Sequence, residues 1–184
     1  MPLILASASP QRRAILTQLG VDFTVESADV EEYAAGEPHA VAELNSLRKA
    51  QAVARPGATV VGVDTVVALD DRIFGKPRDA PQARATLRRL GGRTHEVVSG
   101  VTVIEDAGEP RTATAVTEVT FRDLDDAWLT WYVGTGEWRG RAGGYAVQGA
   151  GQALVTRIDG EHSNVVGLPV GTLLALLPGL LLVH

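Results

Sequence analysis

The sequence predicts an α/β fold built on a mixed β-sheet, and three observations lead there. Short apolar runs such as Leu3-Ile4-Leu5 and Thr59 to Val63 alternate with helical segments through the first half, the pattern of parallel strands joined by crossover helices. Two long stretches rich in β-branched residues, Thr94 to Glu105 and Thr112 to Phe121, flank a turn near Ala107-Gly108 and read as an antiparallel hairpin. With 184 residues and 45% hydrophobic content, the chain can bury a core as one domain spanning 1–184, either compact or as two lobes sharing one sheet.

Leu3-Ile4-Leu5 is a buried strand. Ser9 caps the helix that follows, and Pro10 suits its first position, where a missing N–H forfeits no helical hydrogen bond. Leu16 and Leu19 supply the apolar face of this helix, and Gly20 ends it. Phe23 to Val25 is a second strand, followed by an acidic connection through Asp29, Glu31 and Glu32 to Gly36-Glu37-Pro38. A helix from about His39 to Ala54 carries Val41, Leu44, Ala52 and Val53, and Pro56-Gly57 stops it. The strand Thr59 to Val63 ends at Asp64-Thr65, Val66 to Leu69 continues extended, and Asp70-Asp71 turns. Gly75-Lys76-Pro77 is a rigid loop, and Asp79 to Leu90 is a helix closed by Gly91-Gly92. After the hairpin come a helix from Asp125 to Val133, a glycine-rich connection from Gly134 to Gly151, a strand from Ala153 to Ile158 and a helix from about Pro169 to Leu177.

The chain has no cysteine, which excludes disulfides, thiolate metal sites, iron–sulfur clusters and cysteine nucleophiles, and fits a cytoplasmic setting. Its 22 acidic and 17 basic residues give a net charge of -5 with no long basic run, so the electrostatic footprint of a duplex nucleic-acid binder is missing. A small anionic ligand needs only a local positive cluster. No basic, apolar leader is read before the first strand. The stretch Val165 to Val183 has the length of a membrane span, but Gly167, Pro169, Gly171, Pro178 and Gly179 interrupt it and no basic anchor follows. A buried loop plus a terminal helix is expected there, with no membrane partner.

Candidate chemistry starts at Ser7, Ser9, Arg12 and Arg13. They stand where a strand meets a helix, whose free N–H groups and positive end favour an anion, and arginine adds a planar fork for phosphate. A capped surface helix with solvated arginines is the plainer reading. No GxxxxGK[ST] or GxGxxG phosphate loop is present. Asp64 follows the apolar Val60-Val61-Gly62-Val63, so its carboxylate can point into a cleft and serve Mg²⁺ or a water; otherwise it caps a turn through Thr65. Any one of Asp29, Glu31 and Glu32 could be a second hard-metal ligand, against the reading of an exposed acidic loop. Lys49 and Lys76 are the only lysines, and Gly75 and Pro77 restrict the backbone around Lys76. Gln148, in the glycine-rich run around Tyr145, offers an amide to a base or a water. His95 is expected to pack or to orient a partner, and it forms no zinc spacing with His162 or His184.

Together these segments resemble the Maf family of nucleoside triphosphate pyrophosphatases, from Leu-Ile-Leu-Ala-Ser-Ala-Ser-Pro at 3–10 through Lys49-Ala50, Gly62 to Val67, Gly75-Lys76-Pro77, Thr94 to Val97, Ala142 to Gly149 and Val166 to Pro169. The resemblance implies two α/β lobes around a deep central cleft with an extended mixed sheet, a Maf/inosine-triphosphatase-like fold, commonly dimeric, so a homodimer is expected. It implies Ser7, Arg12 and, less directly, Arg13 as phosphate binders, with Thr65 and Gln148 near the base or a water. Asp64 is implied as the catalytic carboxylate, with Glu31, Lys49 and Lys76 beside it, and Glu31 and Asp64 holding Mg²⁺ or Mn²⁺. Within the family, Asp64-Thr65, Thr94-His95 and Tyr145 to Gly149 look like the branch acting on dTTP and UTP. Gln11 stands where that branch usually has arginine, and Arg141 where a lysine normally precedes Ala142-Gly143. A non-catalytic nucleotide-binding regulator and a pyrophosphatase preferring a modified nucleotide such as 7-methyl-GTP are the alternatives.

Overall fold

The computed structural model describes residues 1–182. In chain order its elements are β1 (Leu3–Ala6), α1 (Pro10–Gln18), β2 (Phe23–Val25), α2 (Pro38–Val53), β3 (Thr59–Leu69), β4 (Arg72–Phe74), α3 (Ala80–Leu90), β5 (Thr94–Glu105), β6 (Arg111–Phe121), α4 (Asp126–Thr135), β7 (Val155–Asp159), α5 (His162–Val166) and α6 (Val170–Leu176). Tight 3₁₀ turns at Ala142–Gly144 and Ala150–Leu154 shape the connection before β7.

The strands form one seven-stranded mixed sheet in the order β2-β1-β3-β5-β6-β7, with β4 also bonded to β3. β1 runs parallel to β2 and β3, and the remaining pairs are antiparallel. The expected parallel first half and antiparallel hairpin are both present.

The pairing along β3 creates the site. β5 covers one edge of β3 from Thr59 to Ala68. A strand has only two edges, so β1 and β4 share the other: β1 takes Thr59 to Gly62 and β4 takes Val67 to Leu69. Val63 to Val66 are therefore left unpaired on that edge, and Asp64 and Thr65 fall in the gap.

Side-chain alternation then assigns the faces of β3. Val61 and Val63 join a core with Leu16 of α1 and Leu173 of α6, whereas Val66 packs with Val41 and Ala42 of α2. A further core gathers Leu87 and Leu90 of α3, Leu129 and Tyr132 of α4, and Phe121 at the end of β6. Each fully buried Leu removes enough apolar surface from water to contribute roughly 1.5–3 kcal/mol.

Two glycines let α2 rest directly on the sheet. A Cβ on Gly62 would stand 2.7 Å from the Ala50 nitrogen, and one on Gly100 would run into the Ala42 carbonyl of α2. Gly100 is also the register partner of Asp64. Gly100→Ala is therefore expected to lift α2 from the sheet and to destabilise the fold by about 3 kcal/mol or more, read as a lower urea midpoint. An unchanged midpoint would show that the helix has slack.

Several boundaries differ from those the sequence predicts. β3 is one strand running through Asp64 rather than ending there, because β5 continues to pair with it on the far side. The sequence predicts no element over Arg72 to Phe74; β4 forms there because Asp70 and Asp71 take positive φ of 51° and 57°, making a two-residue hairpin turn. β7 begins at Val155, after a 3₁₀ turn that occupies Ala153 and Leu154. The stretch from Val165 divides into the end of α5, a loop with buried Leu168, and α6; Val183 lies outside the described residues. Among the described residues no helix is long and apolar enough to cross a membrane.

Candidate active site

The gap in β3 opens into a cavity of about 530 Å³. One wall comes from the turn between β1 and α1. The Ser9 side chain caps α1 through the Arg12 backbone N–H, and the Arg12 side chain reaches back toward the end of β1 to meet Ser7. Arg12 is only 9% exposed and uses all its faces: Nη1 donates to Ser7 Oγ at 2.8 Å, Nη2 to Thr65 Oγ1 at 3.1 Å, and Nε to the Gly167 carbonyl at 2.8 Å. Ser99 Oγ lies 2.8 Å from the same Thr65 hydroxyl. Burial lowers the pKa of the guanidinium from its ordinary value, and the negative charges of Asp64 and Glu32 oppose that shift. It stays charged, because an arginine pKa lies far above neutrality.

The facing wall belongs to α2. Asn45 and Lys49 are one helical turn apart, so both reach Asp64 from the same helix face. Lys49 Nζ lies 2.6 Å from Asp64 Oδ1, and Asn45 Nδ2 donates to Asp64 Oδ2 at 3.0 Å. Asp64 is 6% exposed and Lys49 7%, so this is a buried, paired charge rather than a turn cap. The same ammonium contacts Glu32 Oε1 at 2.6 Å. Burial pushes the Glu32 carboxyl up, but its hydrogen bond to Lys49 and the charges of Lys49, Lys76 and Arg12 together hold it below its ordinary value.

The structure thus brings Ser7, Arg12, Lys49, Asp64, Thr65, Lys76 and Gln148 to one cavity. It corrects two expectations. Glu31 is exposed and does not line the cavity; its neighbour Glu32 makes the contact with Lys49. Arg13 is likewise exposed and outside the cavity, because adjacent helical residues point about 100° apart and Arg12 takes the inward direction. Sequence reasoning missed Asn45, Ser99 and the Gly167 carbonyl. Only Asn45 carried a signal, its i,i+4 spacing to Lys49.

Among the described residues no three His, Asp or Glu side chains converge as a metal cage. Asp64 and Glu32 nevertheless present two carboxylate oxygens to one cation, the ammonium of Lys49. Two hard oxygen donors suit Mg²⁺, which commonly takes one or two carboxylates and completes its shell with water and substrate phosphate. The donor set fits such an ion.

A family model described as Maf-like protein matches residues 2–180. The chain belongs to the Maf family. Among its relatives, a dTTP/UTP pyrophosphatase of Exiguobacterium sibiricum is 49% identical, with the match covering 92% of this chain and 87% of that one. Another from Myxococcus xanthus is 48% identical over 95% of this chain and 90% of its own. One from Pyrococcus furiosus is 41% identical, covering 95% and 93%. Of solved structures, a Staphylococcus aureus Ham1 protein aligns with a TM-score of 0.47 at 15% identity, over 67% of this chain and 73% of that one.

In this Maf chain Gln11 and Arg141, the two positions where the sequence reading expects departures from the dTTP/UTP branch, both line the cavity. Gln11 Oε1 accepts a hydrogen bond from Ser9 Oγ at 3.1 Å, which ties it to the helix cap. The cavity also has an apolar part, formed by Val67, Ile73, Phe74 and Val97. Tyr145 on its margin is held from behind by His95, whose Nε2 lies 2.9 Å from the tyrosine hydroxyl. His95 is therefore an orienting residue, as expected.

His95 is 1% exposed and its Nδ1 has no hydrogen-bond partner among the described residues, and burial lowers its pKa to about 4. The unfolded chain takes up this proton below pH of about 6.5, whereas the folded chain resists it until about 4. Stability from this group is complete above the upper value and declines as pH falls through that window. The expected loss is about 3 kcal/mol, measurable as the pH slope of the unfolding free energy. His95→Gln should flatten that segment; an unchanged slope would assign it to other groups.

Proposed function

We propose that this chain is a divalent-cation-dependent nucleoside triphosphate pyrophosphatase, hydrolysing dTTP and UTP to the monophosphate and pyrophosphate. The observation that carries this reading is the meeting of Asp64 and Glu32 on one buried ammonium, in a cavity that also holds Arg12 and Lys76. Binding a polyphosphate alone would call for the cations; paired acids beside them serve an ion and a water as well. The names of the relatives support the substrate class.

Asp64 and Glu32 would hold Mg²⁺ or Mn²⁺, which when bound neutralises phosphate oxygens as a Lewis acid. Glu32 here takes the part that the resemblance gives to Glu31. Asp64 orients a water toward the α phosphorus and accepts its proton as the new P–O bond forms. The bond from the α phosphorus to the bridging oxygen breaks, and pyrophosphate leaves with the electron pair. Arg12, Lys49 and Lys76 meet the charge growing on that leaving group, where fixed cations in a cavity that limits water contribute most. Ser7 and the N-terminal end of α1 orient the phosphates. The apolar part of the cavity and Gln148 receive the base.

A panel of dTTP, UTP, CTP, dATP and 7-methyl-GTP with Mg²⁺ or Mn²⁺, followed by product separation, tests the reading. Monophosphate with pyrophosphate from dTTP and UTP is expected; diphosphate with orthophosphate would overturn the bond assignment. Because Lys76 is exposed on a loop held by Gly75 and Pro77, Lys76→Ala should raise KM for dTTP roughly tenfold without loss of fold. Unchanged kinetics across dTTP concentrations would remove Lys76 from triphosphate binding.

A further inference from the structure

We propose that Asn45 is a positioning residue, which clamps the Glu32-Tyr33 segment onto Asp64 and so sets the separation of the two acids. The inference rests on the pyrophosphatase reading and deepens it. Asn45 is 1% exposed, and its amide makes three hydrogen bonds. Oδ1 accepts from the Tyr33 backbone N–H at 2.8 Å, and Nδ2 donates both to the Tyr33 carbonyl at 2.9 Å and to Asp64 Oδ2 at 3.0 Å. One side chain thus pairs both backbone groups of the residue next to Glu32 and also the second oxygen of Asp64.

The segment has little else to hold it. Residues 27–36 contain no helix or strand, and among the described residues their hydrogen bonds and ion pairs run only to Asn45 and Lys49. The Arg48 guanidinium sits over the Tyr33 ring at 5.0 Å and adds a looser contact. Two carboxylates brought toward one point repel, so charge alone does not set their spacing once Lys49 turns to a phosphate. A neutral amide bonded to backbone is independent of that change. Asn45 and Lys49 share one helix face, so the anchor and the cation move as one unit with α2.

Asn45→Leu, close in size, removes all three bonds. We expect kcat for pyrophosphate release from dTTP to fall by about 10–100-fold, as for a misplaced catalytic group, with KM within about threefold. Hydrogen exchange at the Tyr33 amide should quicken at least tenfold. Asn45→Asp guards against a folding defect. It keeps an acceptor for the Tyr33 N–H but replaces the donor to Asp64 and to the Tyr33 carbonyl by a second carboxyl that repels Asp64, so the Tyr33 N–H should stay protected while kcat still falls. A kcat within twofold of the parent in either variant, or unaltered Tyr33 exchange in Asn45→Leu, would overturn the proposal. If the parent protein released no pyrophosphate from any triphosphate, the pyrophosphatase reading would fail, and the exchange comparison would still decide whether Asn45 clamps the segment.

Discussion

Asp64→Asn should lower kcat for pyrophosphate release from dTTP by about 10²–10⁴-fold while leaving the fold in place. The substitution conserves volume, and the asparagine oxygen can still accept from Lys49, which lies 2.6 Å from Asp64 Oδ1. What disappears is the negative charge and the basic oxygen. Without them the water loses its proton acceptor, and a divalent ion keeps only Glu32. Thermal unfolding should shift less than on loss of Lys49, since the ammonium keeps Glu32 and the asparagine oxygen as partners, while the new amide N–H₂ faces the Asn45 donor and forfeits that one bond. Turnover near that of the parent enzyme would remove Asp64 from the chemistry and with it the proposed mechanism.

Lys49→Met should cost both stability and turnover. Among the described residues the ammonium is the one group that touches both acids, at 2.6 Å each, and Asp64 is buried. Removing one partner of a buried pair leaves an uncompensated charge and typically costs about 3–5 kcal/mol; the half-exposed Glu32 can turn to water, which favours the lower end. The pH dependence gives the sign. Burial raises the Glu32 carboxyl, and Lys49, together with the charges of Lys76 and Arg12, more than offsets this, so its folded pKa is depressed. A depressed carboxylate stabilises the fold above its unfolded pKa, and that contribution is lost as pH falls through the folded value. The gap in unfolding free energy between parent and variant should therefore be widest near neutrality and narrow below roughly pH 4. An equal gap at both ends would show that Lys49 stabilises by packing its stem alone.

Much of the fold was legible because local rules and tertiary structure agree. Ser9-Pro10 starts α1, Pro56-Gly57 follows the end of α2, and the two β-branched runs pair as a hairpin. Boundaries were misread where the cause lay elsewhere in the chain. Asp64 resembles a strand terminator because aspartate is uncommon inside strands, yet the β5 backbone at Gly100 pairs with it and carries β3 onward. In the site, cations and acids were legible by type. Which of two neighbours faces inward was not, at Arg12 and Arg13 or at Glu31 and Glu32.

The resemblance to the Maf family grouped Asp64, Lys49 and Lys76, whereas by itself the sequence determined the mixed α/β class and the strand-to-helix turn where Ser9 caps α1. Residue type and spacing along the chain suffice for those, because helix caps, strand periodicity and charge are local properties. Only the tertiary structure decided that β1 and β4 leave Val63 to Val66 unpaired, that Glu32 rather than Glu31 meets Lys49, and that Asn45 bonds both Asp64 and the Tyr33 backbone. Each depends on how α2 and the 27–36 segment lie across the sheet, over contacts between residues far apart in the chain. Gly62 and Gly100 permit that approach, but no short-range pattern encodes where it brings the side chains.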